Sequence, residues 1–143
     1  PALGYRIDYK GRSISISGDT IYDQNLVNNS KNVDVLFHES MSLELLDIIN
    51  KQAKRIGNVV AEIVTVDILD YHTPILDVVK AANEANVKHL VFYHHLPAPR
   101  NQLMEDIMYR GVDEVMAEWT ASHDGTMVIL PINSDEINIS SVN

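Results

Sequence analysis

Residues 90–100 read Leu90-Val91-Phe92-Tyr93-His94-His95-Leu96-Pro97-Ala98-Pro99-Arg100. The four apolar or aromatic residues at the head of this stretch predict a buried strand. Two histidines follow at its end. Pro97 and Pro99 then bar further strand pairing and force an extended exit. Open α/β sheets place their chemistry outside the carboxyl ends of their strands. An imidazole there is held by a rigid scaffold and faces a crevice. The plainer alternative has one histidine packed and the other solvated. Against it stand other stretches of the chain that end in groups able to partner an imidazole.

Composition bounds the rest. The chain has 143 residues, which fits one domain with its own core. Apolar residues make up 45% and charged residues 22%, an ordinary globular balance. No apolar run reaches transmembrane length, so no membrane partner is expected. The net charge of −9 disfavours a nucleic-acid backbone as the main partner. Lys51, Lys54 and Arg55 come nearest to a basic patch, and a solvated helix face explains them. There is no cysteine, which removes disulfides, zinc–thiolate sites and a thiol nucleophile. A metal would have to use His, Asp and Glu. The chain starts at Pro1 without a charged-then-apolar leader, which leaves a processed or truncated N-terminus open. A cytoplasmic location is expected, with a secreted form also open.

Upstream, residues 3–9 and 13–17 alternate apolar and polar about Lys10-Gly11, which predicts a β-hairpin. Its second strand runs into Gly18-Asp19. Gly18 allows a sharp turn, and Asp19 is either a strand-end ligand or the cap of a helix over residues 22–29. Residues 33–37 predict another strand, with Asp34 at its entry and His38-Glu39-Ser40 at its end. Ser42 and Glu44 open a helix that Gly57 stops, with Asp47 and Lys51 as an i,i+4 pair. Residues 58–69 fit strand or helix. Thr73 as cap and Pro74 at the first turn start a further helix, its buried face Leu76, Val79, Ala82 and Ala85. His72 lies just before that start, as a loop histidine or a functional one. Residues 101–119 predict a helix with a break at Gly111. A closing hairpin is expected around Asp124-Gly125, and a loose polar tail over residues 134–143.

Five segments in this order carry a resemblance: Gly4-Tyr5-Arg6-Ile7-Asp8-Tyr9, Ile16-Ser17-Gly18-Asp19-Thr20, Phe37-His38-Glu39-Ser40, Asp70-Tyr71-His72-Thr73 and Leu90-Val91-Phe92-Tyr93-His94. Together they resemble the metallo-β-lactamase-fold hydrolases, in the ribonuclease Z and arylsulfatase-like branch. The resemblance runs from residue 3 to about residue 132. It implies an α/β fold, a mixed sheet with helices on one face, equivalent to one half of an αββα sandwich. It also implies a dinuclear zinc hydrolase acting on phosphodiester or other ester bonds. Asp19 matches the carboxylate that bridges the two metals, and His94 the last metal histidine. His95 falls one place beyond, so the register between the two stays open. His72 matches a histidine that contacts the scissile phosphate and donates a proton. Glu39 matches the carboxylate that orients it.

The chain departs from that pattern in one large way. The family's His-x-His-x-Asp-His motif lies upstream of the matched segment and has no counterpart among the six histidines here. Residues 1–133 therefore resemble the C-terminal half of such a domain. A catalytic zinc site normally takes three protein ligands, and Asp19 and His94 supply two. The chain alone is expected to be inactive, with zinc incomplete or absent. A non-catalytic αβ module in assembly or regulation is the second reading. Ile14, Ile16, Val35, Phe37, Val91 and Tyr93 are expected to form a bare sheet face. A homo-oligomer or the missing half would cover it.

Overall fold

The computed structural model describes residues 3–142; Pro1, Ala2 and Asn143, and with them the expected N-terminal start, lie outside the described residues. β1 (Tyr5–Tyr9) and β2 (Arg12–Ile16) form the expected antiparallel hairpin. Lys10 and Gly11 both take positive φ, 48° and 78°, as a two-residue hairpin turn demands. β3 (Val35–Met41), β4 (His89–Leu96) and β5 (Trp119–Ala121) then add in sequence order, each parallel to its predecessor. The sheet is mixed but mostly parallel. Four strands, β2 to β5, therefore deliver their carboxyl ends to one edge.

Residues paired across strands share a face. Leu36, Leu90 and Phe92 point to the face covered by α2 (Leu43–Ile56), α4 (Ile75–Ala85) and α5 (Gln102–Met108). All three side chains are essentially without solvent exposure. Each buried side chain of this size is worth about 2 kcal/mol of transfer free energy. α1 (Gln24–Asn29) joins through Val27, which meets Ala81 and Ala85. No helix among the described residues is long and apolar enough to cross a membrane.

Several expectations change on contact with the structure. Residues 58–69 are helical, as α3 (Val59–Asp67) and a 3₁₀ turn (Ile68–Asp70), because the Asn58 side chain accepts from Ala61 N–H and starts a helix. Thr73 does not cap α4. Its side chain donates to Thr20 O and its N–H to Glu39, so the helix begins after Pro74. Ile75 and Val78 join the buried face, and Leu76 is exposed. The helix expected over residues 101–119 ends at Met108, and Trp119 opens β5, where it pairs with Leu90. Asp124-Gly125 joins no hairpin: β5 belongs to the main sheet, and β6 (Thr126–Ile129) pairs instead with β7 (Asn138–Ser141). The tail expected to be loose thus contains a strand.

The opposite sheet face is not bare throughout. Val35 and Val91 are fully buried, whereas Ile14, Ile16, Phe37 and Tyr93 are half-buried and Tyr5, Ile7 and Tyr9 exposed. Leu130 and Ile132 border a cavity with Ile7 and Ile14, and Ile137 and Ile139 one with His89 and Thr120. A buried ion cluster pins this covering segment. Arg12 Nε donates to Asp34 Oδ2 at 3.0 Å, and Arg12 Nη1 to the carbonyls of Pro131, Ser134 and Glu136. Lys88 Nζ lies 2.8 Å from Asp34 Oδ1 and 3.0 Å from Asp135. Burial raises the Asp34 pKa, but Lys88, the Ser13 N–H and Arg12 outweigh it and hold the carboxyl down at about 2.

A depressed carboxylate stabilises the fold above its unfolded pKa and loses that contribution as pH falls through the folded one. The chain is expected to lose stability between about pH 4 and about pH 2 in a phase that Asp34→Asn lacks. Arg12→Met leaves the buried Asp34 short of a partner and is expected to cost about 3–5 kcal/mol. It should also speed amide exchange over residues 131–136. Denaturant midpoints at the two pH values, with hydrogen exchange, check both; identical acid profiles would remove the assigned role.

Candidate metal centre

Ser17 extends the β2 ladder, its N–H donating to Phe37 O at 3.0 Å. The chain then turns at Gly18, where φ is 65° and an added Cβ would sit 2.6 Å from Leu3 O. Only glycine fits there. Gly18 N–H donates to Tyr93 Oη at 3.1 Å, which ties the turn to β4. Asp19 therefore leaves the strand end with a solvated carboxylate. The cap of α1 is Asp23, which accepts from Asn25 N–H at 2.7 Å. The capping explanation of Asp19 falls away.

The two adjacent histidines are separated by a bulge. Glu39 pairs with Tyr93, but Ser40 pairs with His95, so His94 is the extra residue. Its φ is 47°. A non-glycine residue in this region costs about 1–3 kcal/mol, and bulges beside active sites re-aim a side chain. His94 is the histidine that faces Asp19, with Nε2 3.6 Å from Asp19 Oδ1. His95 turns to the helix side and meets Ser40, Tyr109 and Ser122. The bulge thus places His94, and not His95, beside Asp19.

His72 sits on the loop before α4, nearly buried, its ring 5.5 Å from that of His94. Behind it lies Glu39, at 0% exposure. Glu39 Oε1 accepts from Thr73 N–H at 2.6 Å, and Oε2 lies 3.4 Å from His72 Nδ1. Neither of these two facing atoms has a hydrogen-bond partner. Burial raises the Glu39 pKa to about 7 against the pull of the Thr73 and Thr20 backbone groups. Burial also lowers that of His72. Both groups are pushed toward their uncharged forms.

His38 is not part of this cluster. It lies in the core on the helix face, with Nδ1 2.8 Å from Glu39 O, and burial lowers its pKa to about 4. His89 meets Thr120 Oγ1 at 2.9 Å. The supports that sequence reading missed are Tyr93 Oη, the Thr73 N–H and the His95 contacts. Each is a long-range pairing with no local signature.

Asp19, His72 and His94 each offer one donor atom, and these atoms lie within 4.8 Å of one another. Two imidazoles and a carboxylate are the donor types that zinc takes in the absence of thiolates. His72 Nδ1 faces the carboxylate of Glu39, the kind of group that accepts from the second ring nitrogen of metal-bound histidines. The residues present fit a divalent metal.

No family model matches the chain. A putative ribonuclease Z of Mycobacterium tuberculosis (strain CDC 1551 / Oshkosh) is 30% identical over 98 residues, which is 68% of this chain and 39% of that protein. A ribonuclease Z of Mycobacterium avium (strain 104) is 29% identical over 98 residues, 68% of this chain and 31% of its own length. The chain thus spans under two fifths of the length of these curated relatives. Among solved structures, the metallo-beta-lactamase fold protein YhfI from Bacillus subtilis superposes with a TM-score of 0.54 at 16% identity, over 81% of this chain and 39% of that one. That likeness concerns the fold. With the matched stretches and the parallel sheet edge already described, the chain is a ribonuclease Z-like protein of the metallo-β-lactamase fold.

Proposed function

We propose that this chain forms one side of a dinuclear zinc site that hydrolyses a phosphodiester or other ester bond, and that the chain alone is inactive. The observation that carries the reading is the convergence of Asp19, His72 and His94 at one sheet edge, with Glu39 buried behind His72. The relatives' name makes an RNA phosphodiester the leading substrate class. The net charge of −9 opposes an RNA backbone, so cations for it would come from the remainder of a longer protein. The same remainder would supply the further metal ligands and would cover Ile14, Ile16, Phe37 and Tyr93, a role that a second copy of the chain would otherwise take.

Asp19 and His94 would hold the metal. Bound there, zinc would polarise the scissile bond and make water a competent nucleophile at neutral pH. Glu39 fixes the orientation and tautomer of His72 through Nδ1. The other ring nitrogen is then free to carry a proton to the leaving oxygen. Because His72 is within 4.8 Å of both other donors, its service as a third ligand is the competing reading.

His72→Ala separates the two. In the full-length enzyme it is expected to lower kcat on the order of 10²-fold with metal content unchanged, measured by steady-state hydrolysis of a chromogenic phosphodiester and by metal analysis. Loss of metal would make His72 a ligand, and unchanged kcat would remove it from the chemistry. The isolated chain, dialysed, should hold well under one zinc and show no turnover. Two tightly held metals per chain would overturn the ligand assignment. Full-length protein that binds no metal and hydrolyses nothing would favour the non-catalytic module.

Glu39→Gln tests the buried carboxylate. Folding raises this group from 4.5 to about 7, so its contribution is full below about pH 4.5 and is lost as pH rises through about 7. The neutral isostere still accepts from Thr73 N–H. Its stability relative to wild type should therefore climb between about pH 5 and about pH 8. Taking the difference cancels His38, whose lowered pKa gives the opposite slope. A difference flat in pH, from chemical denaturation, would show that Glu39 is charged throughout.

A further inference from the structure

His95 follows His94 directly yet is held in a different way. Its Nε2 lies 2.7 Å from Ser122 O and donates to that carbonyl. Nδ1 is then an acceptor. Two hydroxyls converge on it: Ser40 Oγ on β3 at 3.0 Å and Tyr109 Oη, just past α5, at 2.7 Å. Tyr109 is itself buried, its ring 5.2 Å from Phe92 and 5.1 Å from Trp119. Three parts of the fold thus fix one imidazole.

His94 has weaker support. Its contacts are the 3.6 Å approach to Asp19 and the ring contact with His72, and its side chain is 44% exposed. It also occupies a backbone region that a regular strand avoids. In an unbulged strand the residue after Tyr93 would pair with Ser40 and turn toward the helices, because side chains alternate. His94 would then leave the crevice. The backbone after the bulge is held too, by the Met41–Leu96 pairing and by Ser42 N–H donating to Leu96 O at 2.8 Å. Those backbone groups are common to every residue type and do not choose which side chain pairs with Ser40.

We propose that His95 is a positioning residue: its clamp between Ser40, Tyr109 and Ser122 holds the bulge that presents His94 to Asp19 and His72. The inference rests on the metal-site reading above only for its metal-binding arm. No contact between His95 and a metal or substrate is required.

The test uses the chain with His95→Leu and, as a milder change, Tyr109→Phe. Each is also made in a His94→Ala background. Two quantities are read: the nuclear Overhauser contact between the His72 and His94 rings in the metal-free chain, and Co²⁺ affinity by titration. His95→Leu is expected to abolish the ring contact and to weaken Co²⁺ binding by about tenfold or more, with Tyr109→Phe acting in the same direction by less. In the His94→Ala background neither should weaken binding further, because the effect travels through His94. An intact ring contact in a folded His95→Leu chain would overturn the proposal. So would an equal loss of affinity in both backgrounds, which would mark His95 as a ligand or a general support of the fold. If His95→Leu does not fold, the ring contact in Tyr109→Phe decides. If the wild-type chain binds Co²⁺ too weakly to titrate, as its incomplete ligand set allows, the ring contact alone decides the role of His95.

Discussion

Parallel pairing of β2, β3 and β4 is the constraint from which the site follows. Parallel neighbours cannot be joined by a tight turn, so each crossover carries helix and returns the chain in the same direction. The ends of all three strands then lie on one edge of the sheet. Asp19 follows β2, Glu39 lies near the end of β3, and His94 lies near the end of β4. The crossover between β3 and β4 adds His72 on the loop before α4, held there by Thr73 and by Met41 N–H donating to Thr73 O at 3.0 Å.

That arrangement concentrates costs at one place. Glu39 is a carboxylate with no solvent exposure, and His94 occupies a backbone conformation that most side chains avoid. Glu39 has only one of its oxygens satisfied by hydrogen bonding within the protein, and the other faces an equally unpartnered imidazole nitrogen. Groups of this kind are destabilising unless the surrounding packing holds them. Here the packing is the Leu36–Leu90–Phe92 core on one side of the sheet and the Arg12–Asp34 cluster on the other. The rigid layers stand behind the edge that bears the chemistry.

The hairpin was legible in the sequence because alternation and a Lys-Gly turn are local signals. So were the strand at residues 90–93, the helix from Ser42 to Gly57, and the placement of Asp19, His38/Glu39, His72 and His94/His95 at strand ends or a helix start; the choice of Asp19, Glu39, His72 and His94 among them came from the family resemblance. Each motif pairs a residue of distinctive chemistry with a strand end or a helix start, and both are read over a few positions. The helical state of residues 58–69 was not legible, since Val and Ile serve helix and strand alike. The short α5 and the entry of Trp119 into β5 were hidden for a related reason. Apolar residues at helical spacing look the same whether helix or sheet buries them. Residues 138–141 looked like tail because their apolar residues are isolated, and only the partner strand β6 makes them a ladder.

By itself the sequence determined which residue types are available for chemistry. With no cysteine, a metal must be met by imidazole and carboxylate, and only glycine at position 18 permits the turn that frees Asp19. The tertiary structure alone decided which of two adjacent histidines faces the crevice. Neighbouring residues on a strand differ only in side, and side is set by pairing register. One extra residue against β3, with His95 locked to Ser40, Tyr109 and Ser122, sends His94 to Asp19 and His72. Register is a relation between distant strands, so no local pattern of residues contains it.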